Sequence, residues 1–495
     1  MPAALLEEWL ATRLSRDDEL PLQDQLYRGL RAAILAGQLG PGARLPATRA
    51  LATALQLARN TVLAAYEQLQ AEGYVEGRHG AGSFVAADLP ETFVEAPTGA
   101  QVTAASARHE NLSARSRTWL TTCELPPRRN AGAFVPAMPD LRGFPFDEFW
   151  RLLHKHQRAA PWHWFDYGAG GGLPALRDAI ANHLQLARAV RCTPEQVIVT
   201  SSTQHSLDLC LRILADVGDV LVHEEPGYFG TRASAIAAGL QLQPVAVDGE
   251  GLRTDALPQS EPGRPAPKLI YITPSHQYPL GSVMSLSRRQ ALLAYAAAHG
   301  SYILEDDYDS EIRFNGRPLA SLQGLDGHER VLYLGTFSKV MYPALRIAYV
   351  VVPPALVKVF QRSQERLQGV GNYPTQAALA EFIASGKLAS HIRKMRLQYA
   401  ERNALLKQLL APHLGGDWQL LGGDAGLHVV LQKNAPFDDV ALANEADGRG
   451  IMMRPLSPFY MGDDKRYGFI LGYAAADPHE LKRGTRILKS LLAWR

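Results

Sequence analysis

Cysteine is nearly absent from this chain: three among 495 residues, Cys123, Cys192 and Cys210, at no metal-ligand spacing. A disulfide-stapled secreted scaffold is thereby excluded, and no metal centre is expected. Also missing is any apolar run long enough to span a membrane. Residues Met1 to Leu14 carry Glu7 and Glu8 and lack a basic n-region, so they do not read as a signal peptide. These absences point to the cytoplasm and away from a membrane partner. What is present, 46% hydrophobic and 20% charged residues, is the composition of a globular protein large enough for two or more domains. The net charge of +2 is uninformative, but its distribution is uneven. From Gln25 to Tyr66 there is no acidic residue and there are five arginines, Arg28, Arg31, Arg44, Arg49 and Arg59. That window suits an anionic partner.

Within it, Leu22, Leu26, Leu30, Ala33 and Ile34 recur at helical spacing and stop near Gly37. Gly40-Pro41-Gly42 is a turn. Thr48 begins a short helix with Leu51, Ala52 and Leu55 on one face. After a break at Gln56 to Ala58, a third helix places Val62, Ala65, Tyr66 and Leu69 inward and ends at Gly73. Two short strands then flank Gly80-Ala81-Gly82. Three helices and a hairpin make a winged helix-turn-helix, or else a small interaction module with a solvated basic face. In the first case Arg59, Asn60 and Thr61 open the helix that enters a major groove, Arg49 reaches the backbone, and Arg78 and His79 sit at the hairpin tip.

The wording is more specific than the pattern. Leu45-Pro46-Ala47-Thr48-Arg49-Ala50-Leu51-Ala52, Arg59-Asn60-Thr61-Val62, Glu72-Gly73-Tyr74-Val75 and Gly80-Ala81-Gly82-Ser83-Phe84-Val85 resemble the GntR winged-helix signature over residues 20 to 86. The resemblance implies binding to operator double-stranded DNA, with Arg49, Arg59, Asn60, Thr61, Arg78, His79 and Gly80 as contact positions. Many members carry Ser or Thr where this chain has Ala58, which removes one phosphate contact. Residues 87–132, rich in Ala, Thr, Ser and Pro, read as a linker that packs no core of its own.

From residue 133 onward, apolar strands alternate with amphipathic helices, as in an α/β fold with a mainly parallel sheet. Val197-Ile198-Val199-Thr200 feeds Ser201-Ser202-Thr203-Gln204 and then a helix; the turn is an anion site or simply a helix cap. Tyr228 follows the strand Val220-Leu221-Val222, as a ring to cover a planar ligand or as core. Leu269-Ile270-Tyr271-Ile272 leads to Tyr278, and Tyr302-Ile303-Leu304 to Asp306 and Tyr308, acids placed just past a buried strand. Val331-Leu332-Tyr333-Leu334 leads to Thr336, Ser338 and Lys339, with Arg346 seven residues on. A lysine desolvated among other cations loses its proton and condenses with an aldehyde, and the hydroxyls and guanidinium suit a phosphate. An aldehyde carrying a phosphate is pyridoxal 5'-phosphate (PLP); a solvated surface lysine is the ordinary alternative.

In order, these motifs resemble the fold-type I PLP enzymes of the aspartate aminotransferase group over about residues 135 to 495. The resemblance implies an α/β large domain with helices on both faces of a mainly parallel sheet, and a small C-terminal α+β subdomain. It implies Lys339 as the Schiff-base lysine, Asp306 against the pyridine nitrogen, Tyr308 on the phenolic oxygen and Tyr228 over the ring. Ser202, Thr203, Gln204, Thr336, Ser338 and Arg346 would bind the phosphate. Tyr278 stands where an aminotransferase carries Asn, and Ser202 where it carries Gly. The substrate-carboxylate arginine is missing from the last strand, where Ile470 stands; Arg454 is the candidate to replace it, and Arg466 reads as solvated.

A GntR module on residues 1–86, a linker on 87–132 and an aminotransferase-like domain on 133–495 resemble the MocR/GabR-type regulators. The implication is a head-to-tail homodimer in which PLP, or an amine or amino acid exchanging onto it, alters DNA binding. Two alternatives stand beside it: a working aminotransferase with an accessory DNA-binding module, and a repressor whose large domain has lost its cofactor.

Overall fold

The computed structural model describes residues 3–16, 18, 20–78, 81–89, 112–122, 132–260, 266–314, 319–369 and 371–494. The chain divides into two compact units, Met1–Arg108 and His109–Arg495.

The first unit contains α1 (Ala3–Ala11), α2 (Leu22–Leu35), α3 (Thr48–Ala54), α4 (Arg59–Ala71) and an antiparallel hairpin of β1 (Val75–Arg78) and β2 (Gly82–Val85). Spacings of three and four put Leu26, Leu30, Ala33 and Ile34 of α2 on one stripe, opposite Val62, Ala65 and Leu69 of α4. All are buried in one core. Gly73 ends α4 at φ 83°, a left-handed position that costs other residues strain. The expected helices and hairpin are present. Helix α1 was not expected; its Leu6 and Leu10 close the same core. Ala58 sits at the N-cap of α4 and offers no side-chain acceptor there, a deficit of about 1 kcal/mol against Ser or Thr.

In the second unit, β3 (Val197–Thr200), β4 (Val220–Glu225), β5 (Gln241–Asp248), β6 (Gly251–Leu252), β7 (Leu269–Ile272), β8 (Tyr302–Asp307), β9 (Val331–Thr336) and β10 (Ala348–Val351) form one sheet, ordered β3-β10-β9-β8-β7-β4-β5-β6. Strands β3 and β7 are fully buried and β9 is buried up to Thr336, and they open as unbroken apolar runs, because helices cover both faces. Strands β5, β4, β7, β8 and β9 pair in parallel, while β10 is antiparallel to both β9 and β3. Two reversals restore the direction of β3, so the C-terminal ends of β3, β4, β7, β8 and β9 share one edge. The start of β10 lies on that edge too. A smaller antiparallel sheet, β11 (Trp418–Leu421), β12 (His428–Lys433), β13 (Arg454–Pro455) and β14 (Tyr467–Gly472), is ordered β11-β12-β14-β13 and forms the C-terminal α+β part.

The linker expectation needs correcting in one respect. Within residues 87–132, α5 (Ala114–Thr122) is a regular helix. Ser113 starts it by accepting a hydrogen bond from the amide of Ser116 at 3.1 Å. It packs on α9 (Phe229–Ala238), where the Arg115 guanidinium donates to the Ala237 carbonyl at 3.0 Å. Between α5 and α9 in sequence come α6 (Phe146–Ala159), α7 (Pro174–Arg188) and α8 (Thr203–Leu214). Trp119 and Leu120, which the sequence offers as docking residues, are 49% and 42% exposed.

Candidate cofactor site and DNA-facing surface

The common strand edge explains why residues scattered over 145 positions meet. A cavity of about 330 Å³ is lined by Ser202, Thr203, Gln204, Tyr228, Tyr278, Asp306, Tyr308, Thr336, Ser338, Lys339 and Arg346. All the residues expected at a cofactor are thus brought together. Ser202 follows β3, Tyr228 follows β4, Tyr278 follows β7, Asp306 and Tyr308 end β8, and Thr336 to Lys339 end β9. Arg346, two residues before β10, reaches the same edge because that strand runs backwards. Its φ of 55° is left-handed, an uncommon conformation for a non-glycine residue and one often found at functional positions.

Ser202 is the N-cap of α8, accepting from the amide of His205 at 3.2 Å. The free amides of the first turn and the positive end of the helix dipole make this end of the cavity suited to an anion. Gln204 lines the cavity and also braces its wall. Its side-chain amide donates to the Gly230 carbonyl and the Ser234 hydroxyl, each at 3.1 Å, and so ties α8 to α9. Thr336 Oγ1 accepts from the Ser338 amide at 3.1 Å, which curls the chain into the turn before Lys339. Lys339 Nζ donates to the Ala137 carbonyl at 2.9 Å.

Asp306 decides whether the cavity suits a protonated aromatic nitrogen. It is 5% exposed, and Oδ2 accepts from the Tyr271 hydroxyl at 2.6 Å. Oδ1 is buried with no hydrogen-bond partner among the described residues. Burial pushes its carboxyl up to about 7; the Tyr271 bond and the Lys339 charge oppose this, and Asp307 adds to it. A buried carboxylate with one bare oxygen calls for a cationic N–H, which PLP supplies when its ring nitrogen is protonated. Next to it, Asp307 behaves oppositely. Burial would raise it, but the Arg188 guanidinium at 2.7 Å and the Tyr333 hydroxyl at 2.7 Å hold it below the usual carboxylate range. Asp306 lines the cavity, and Asp307 is locked into the scaffold. The residues present therefore fit PLP: Lys339 for the aldehyde, Asp306 for the ring nitrogen, and the α8 turn with Thr336, Ser338 and Arg346 for the phosphate.

Tyr228 lies nearly parallel to Tyr271, with centroids 6.4 Å apart and planes at 27°, and meets Tyr278 edge-on at 6.0 Å. Sequence reasoning missed Tyr271, Ala137, Met138 and Thr273, which also line the cavity. Tyr271 gives no local signal inside the run Leu269–Ile272, and Ala137 reaches Lys339 across 202 positions.

Arg454 lies next door. It is buried, and with Tyr228, Phe229, Tyr278, Phe459 and Gln204 it lines a neighbouring hollow of about 340 Å³. It is the one charged side chain among that hollow's described lining residues. Arg454 pairs directly with Ile470 across β13 and β14, and Ile470 itself is buried. Arg466 is exposed, as expected. Arg232, in α9, donates to the carbonyls of Pro458 and Phe459.

On the first unit, Arg49, Arg59, Asn60 and Arg78 are exposed and Thr61 is half-buried. Arg59 to Thr61 form the first turn of α4, and Arg49 lies in the first turn of α3. The Arg78 guanidinium rests over the Phe84 ring at 4.7 Å. His79 and Gly80 lie outside the described residues.

The profile of the bacterial regulatory proteins of the gntR family matches residues 22–85, and that of aminotransferase class I and II matches residues 141–485. Over 96% of this chain and 95% of its own length, the probable rhizopine catabolism regulatory protein MocR of Rhizobium meliloti is 41% identical. The chain belongs to the MocR-like transcriptional regulators. Another such relative, the pyridoxine biosynthesis transcriptional regulator PdxR of Corynebacterium glutamicum, is 31% identical over 96% of each chain. Among solved structures, an archaeal alanine:glyoxylate aminotransferase shares the fold with a TM-score of 0.70 and 24% identity, over 77% of this chain and 98% of its own. The α-aminoadipate aminotransferase LysN of Thermus thermophilus, solved with N-(5'-phosphopyridoxyl)-L-leucine, has a TM-score of 0.66 and 26% identity over 77% and 96%. In this MocR-like chain, no described helix is long and apolar enough to cross a membrane.

Proposed function

We propose that this MocR-like regulator binds operator DNA through its first unit and senses PLP, or an amine or amino acid exchanging onto PLP, through its second. The observation that carries the reading is the bare, buried Oδ1 of Asp306 in the same cavity as Lys339 and the N-terminus of α8. Bound PLP supplies an aldehyde that condenses reversibly with primary amines and a ring that draws electrons when its nitrogen is protonated. Lys339 provides the protein's own amine, and Asp306 keeps the ring nitrogen protonated. Tyr228 covers the ring face, and Tyr308 meets its phenolic oxygen. Ser202, Thr203, Thr336, Ser338 and Arg346 hold the phosphate, with Gln204 fixing the turn. Arg454 takes the carboxylate of an amino-acid effector; its cross-strand pairing with Ile470 supports delivery of that charge from the adjacent strand. Arg49, Arg59, Asn60, Thr61 and Arg78, with His79 and Gly80 of the wing, contact the duplex. The working form is a head-to-tail homodimer in the cytoplasm, joined through the second unit, with residues 87–132 as the linker.

The purified protein with PLP should absorb in the near-visible range, Lys339→Ala should lack that band, and borohydride should fix a pyridoxyl group on Lys339. A colourless wild type, or a pyridoxyl group on another lysine, refutes the cofactor half of the reading. A footprint that is the same with and without PLP and amino acids refutes the sensing half. The complete set of cofactor side chains also favours a second reading, a working aminotransferase with an accessory DNA module. Repeated turnover between an amino donor and a keto acid identifies that case.

A further inference from the structure

Behind the cavity lies a layer of buried polar groups to which the reading above gives no task. His276, just after β7, and Asp309, just after β8, are 3% and 2% exposed. His276 Nδ1 lies 3.0 and 3.1 Å from the two carboxyl oxygens of Asp309 and 3.0 Å from the hydroxyl of Tyr308. His276 Nε2 is buried with no hydrogen-bond partner among the described residues, so Nδ1 is the ring's engaged nitrogen. The backbone of Gly426, at φ 79°, is pressed onto the pair. A Cβ there would fall 2.2 Å from His276 Cε1 and 2.6 Å from Asp309 Oδ2.

One ring nitrogen cannot serve two donors. With a proton shared between Nδ1 and the Asp309 carboxylate, Nδ1 has no lone pair left for the Tyr308 proton, whichever group owns the shared one. Where Nδ1 owns the proton the Tyr308 oxygen can accept from Nδ1–H, and in either case the Tyr308 proton must point elsewhere. The open direction is the cavity that Tyr308 lines together with Lys339.

We propose that Asp309 and His276 form a positioning pair that turns the Tyr308 hydroxyl proton into the cavity, making Tyr308 a hydrogen-bond donor to the cofactor's ring oxygen. This rests on the reading that the cavity takes PLP. The other groups around the pair do not compete for the role. His428, from β12, stacks obliquely at 5.5 Å, donates from Nε2 to the Pro279 carbonyl at 3.0 Å, and is kept neutral by burial, which lowers it to about 3. Tyr278 meets Tyr308 edge-on at 5.9 Å. Lys339, Asp306 and Asp307 act on Asp309 or Tyr308 through their charges and are common to every variant below.

The test uses the full-length protein loaded with PLP and follows the pH midpoint of its near-visible band in wild type, Asp309→Ala, Tyr308→Phe and the double variant. A donor on the ring oxygen withdraws the electron density that holds the proton of the Lys339-linked cofactor, so losing the donor raises the midpoint. Asp309→Ala frees His276 Nδ1 to accept from Tyr308. The midpoint should rise by about one pH unit, a tenfold change of the size expected for one hydrogen bond. Tyr308→Phe should raise it similarly, and the double variant should go no further, because both changes remove the same bond. Borohydride trapping should still find the pyridoxyl group on Lys339 in each. If Asp309→Ala fails to fold, Gly426→Ala, which crowds the pair without deleting a group, should shift the midpoint in the same direction. An unshifted midpoint in the available variant, or additive shifts in the double variant, overturns the positioning role while the cofactor reading stands. A wild type without the Lys339 adduct overturns both.

Discussion

Asp306→Asn should make the cofactor-free protein more stable while weakening its hold on PLP. Burial carries the Asp306 carboxyl from its usual 3.8 to about 7. That displacement, roughly three pH units, corresponds to a ceiling of about 4 kcal/mol at 1.36 kcal/mol per unit. The folded chain keeps this proton up to about pH 7, whereas the unfolded chain releases it near 3.8. Between those values the folded state binds more protons, so stability falls as pH rises through the window and stays reduced above it. Asn has nearly the same shape, carries no charge and still presents an oxygen to the Tyr271 hydroxyl. Near pH 8 the variant should therefore exceed wild type by about 2–4 kcal/mol, a range below the ceiling because the amide is a weaker acceptor. The gap should close toward pH 4. Glu224 and Glu305, also pushed up to about 7 by burial, contribute the same pH dependence to both proteins. Urea denaturation of the cofactor-free second-unit transition near pH 5 and pH 8 measures the difference. With saturating PLP the order should reverse, since a ligand stabilises only the protein that binds it. A variant no more stable than wild type near pH 8, or one that binds PLP equally tightly, refutes the claim that this carboxylate is held ready for a cation.

At the other end of the chain, Arg59→Ala should weaken specific operator binding by about 1–3 kcal/mol and leave the near-visible band unchanged. Gel-shift titration and an absorption spectrum of one sample check both halves, and loss of colour would contradict two separate modules. Arg454→Gln should leave PLP bound but slow the spectral response to L-amino acids about 10- to 100-fold, the loss of one charge-assisted hydrogen bond to a buried carboxylate. A response of unchanged rate removes Arg454 from the effector site.

Much of this was legible because the motifs after successive apolar runs follow one another in the order of a known family, although each strand end alone left an ordinary alternative open. Ser202, Tyr228, Asp306 and Lys339 each follow an apolar run, and one shared sheet edge was enough to gather them. Arg346 was legible from its place seven residues after Lys339; the antiparallel β10 that returns it to the edge β9 had reached was not, since the pattern implied a mainly parallel sheet. What escaped notice depends on partners distant in sequence. Tyr271 is one apolar-looking residue in a buried strand until Asp306 is set beside it, 35 positions later. Gln204 lines the cavity as its motif implies, but the further bonds of its side-chain nitrogen to Gly230 and Ser234 belong to a helix that periodicity cannot dock. Helix α5 has a weak apolar stripe and takes its footing from α9, so the composition of residues 87–132 concealed it.

The footing of α5 bears on where the chain leaves its larger unit. Helix α9 has ten residues and starts directly after Tyr228, so it is a stiff strut about 15 Å long. Its front end abuts Tyr228, which lines the cavity, and its rear end carries the carbonyl that Arg115 grasps. The described helix of the linker is thus moored to the far end of the strut that begins beside Tyr228.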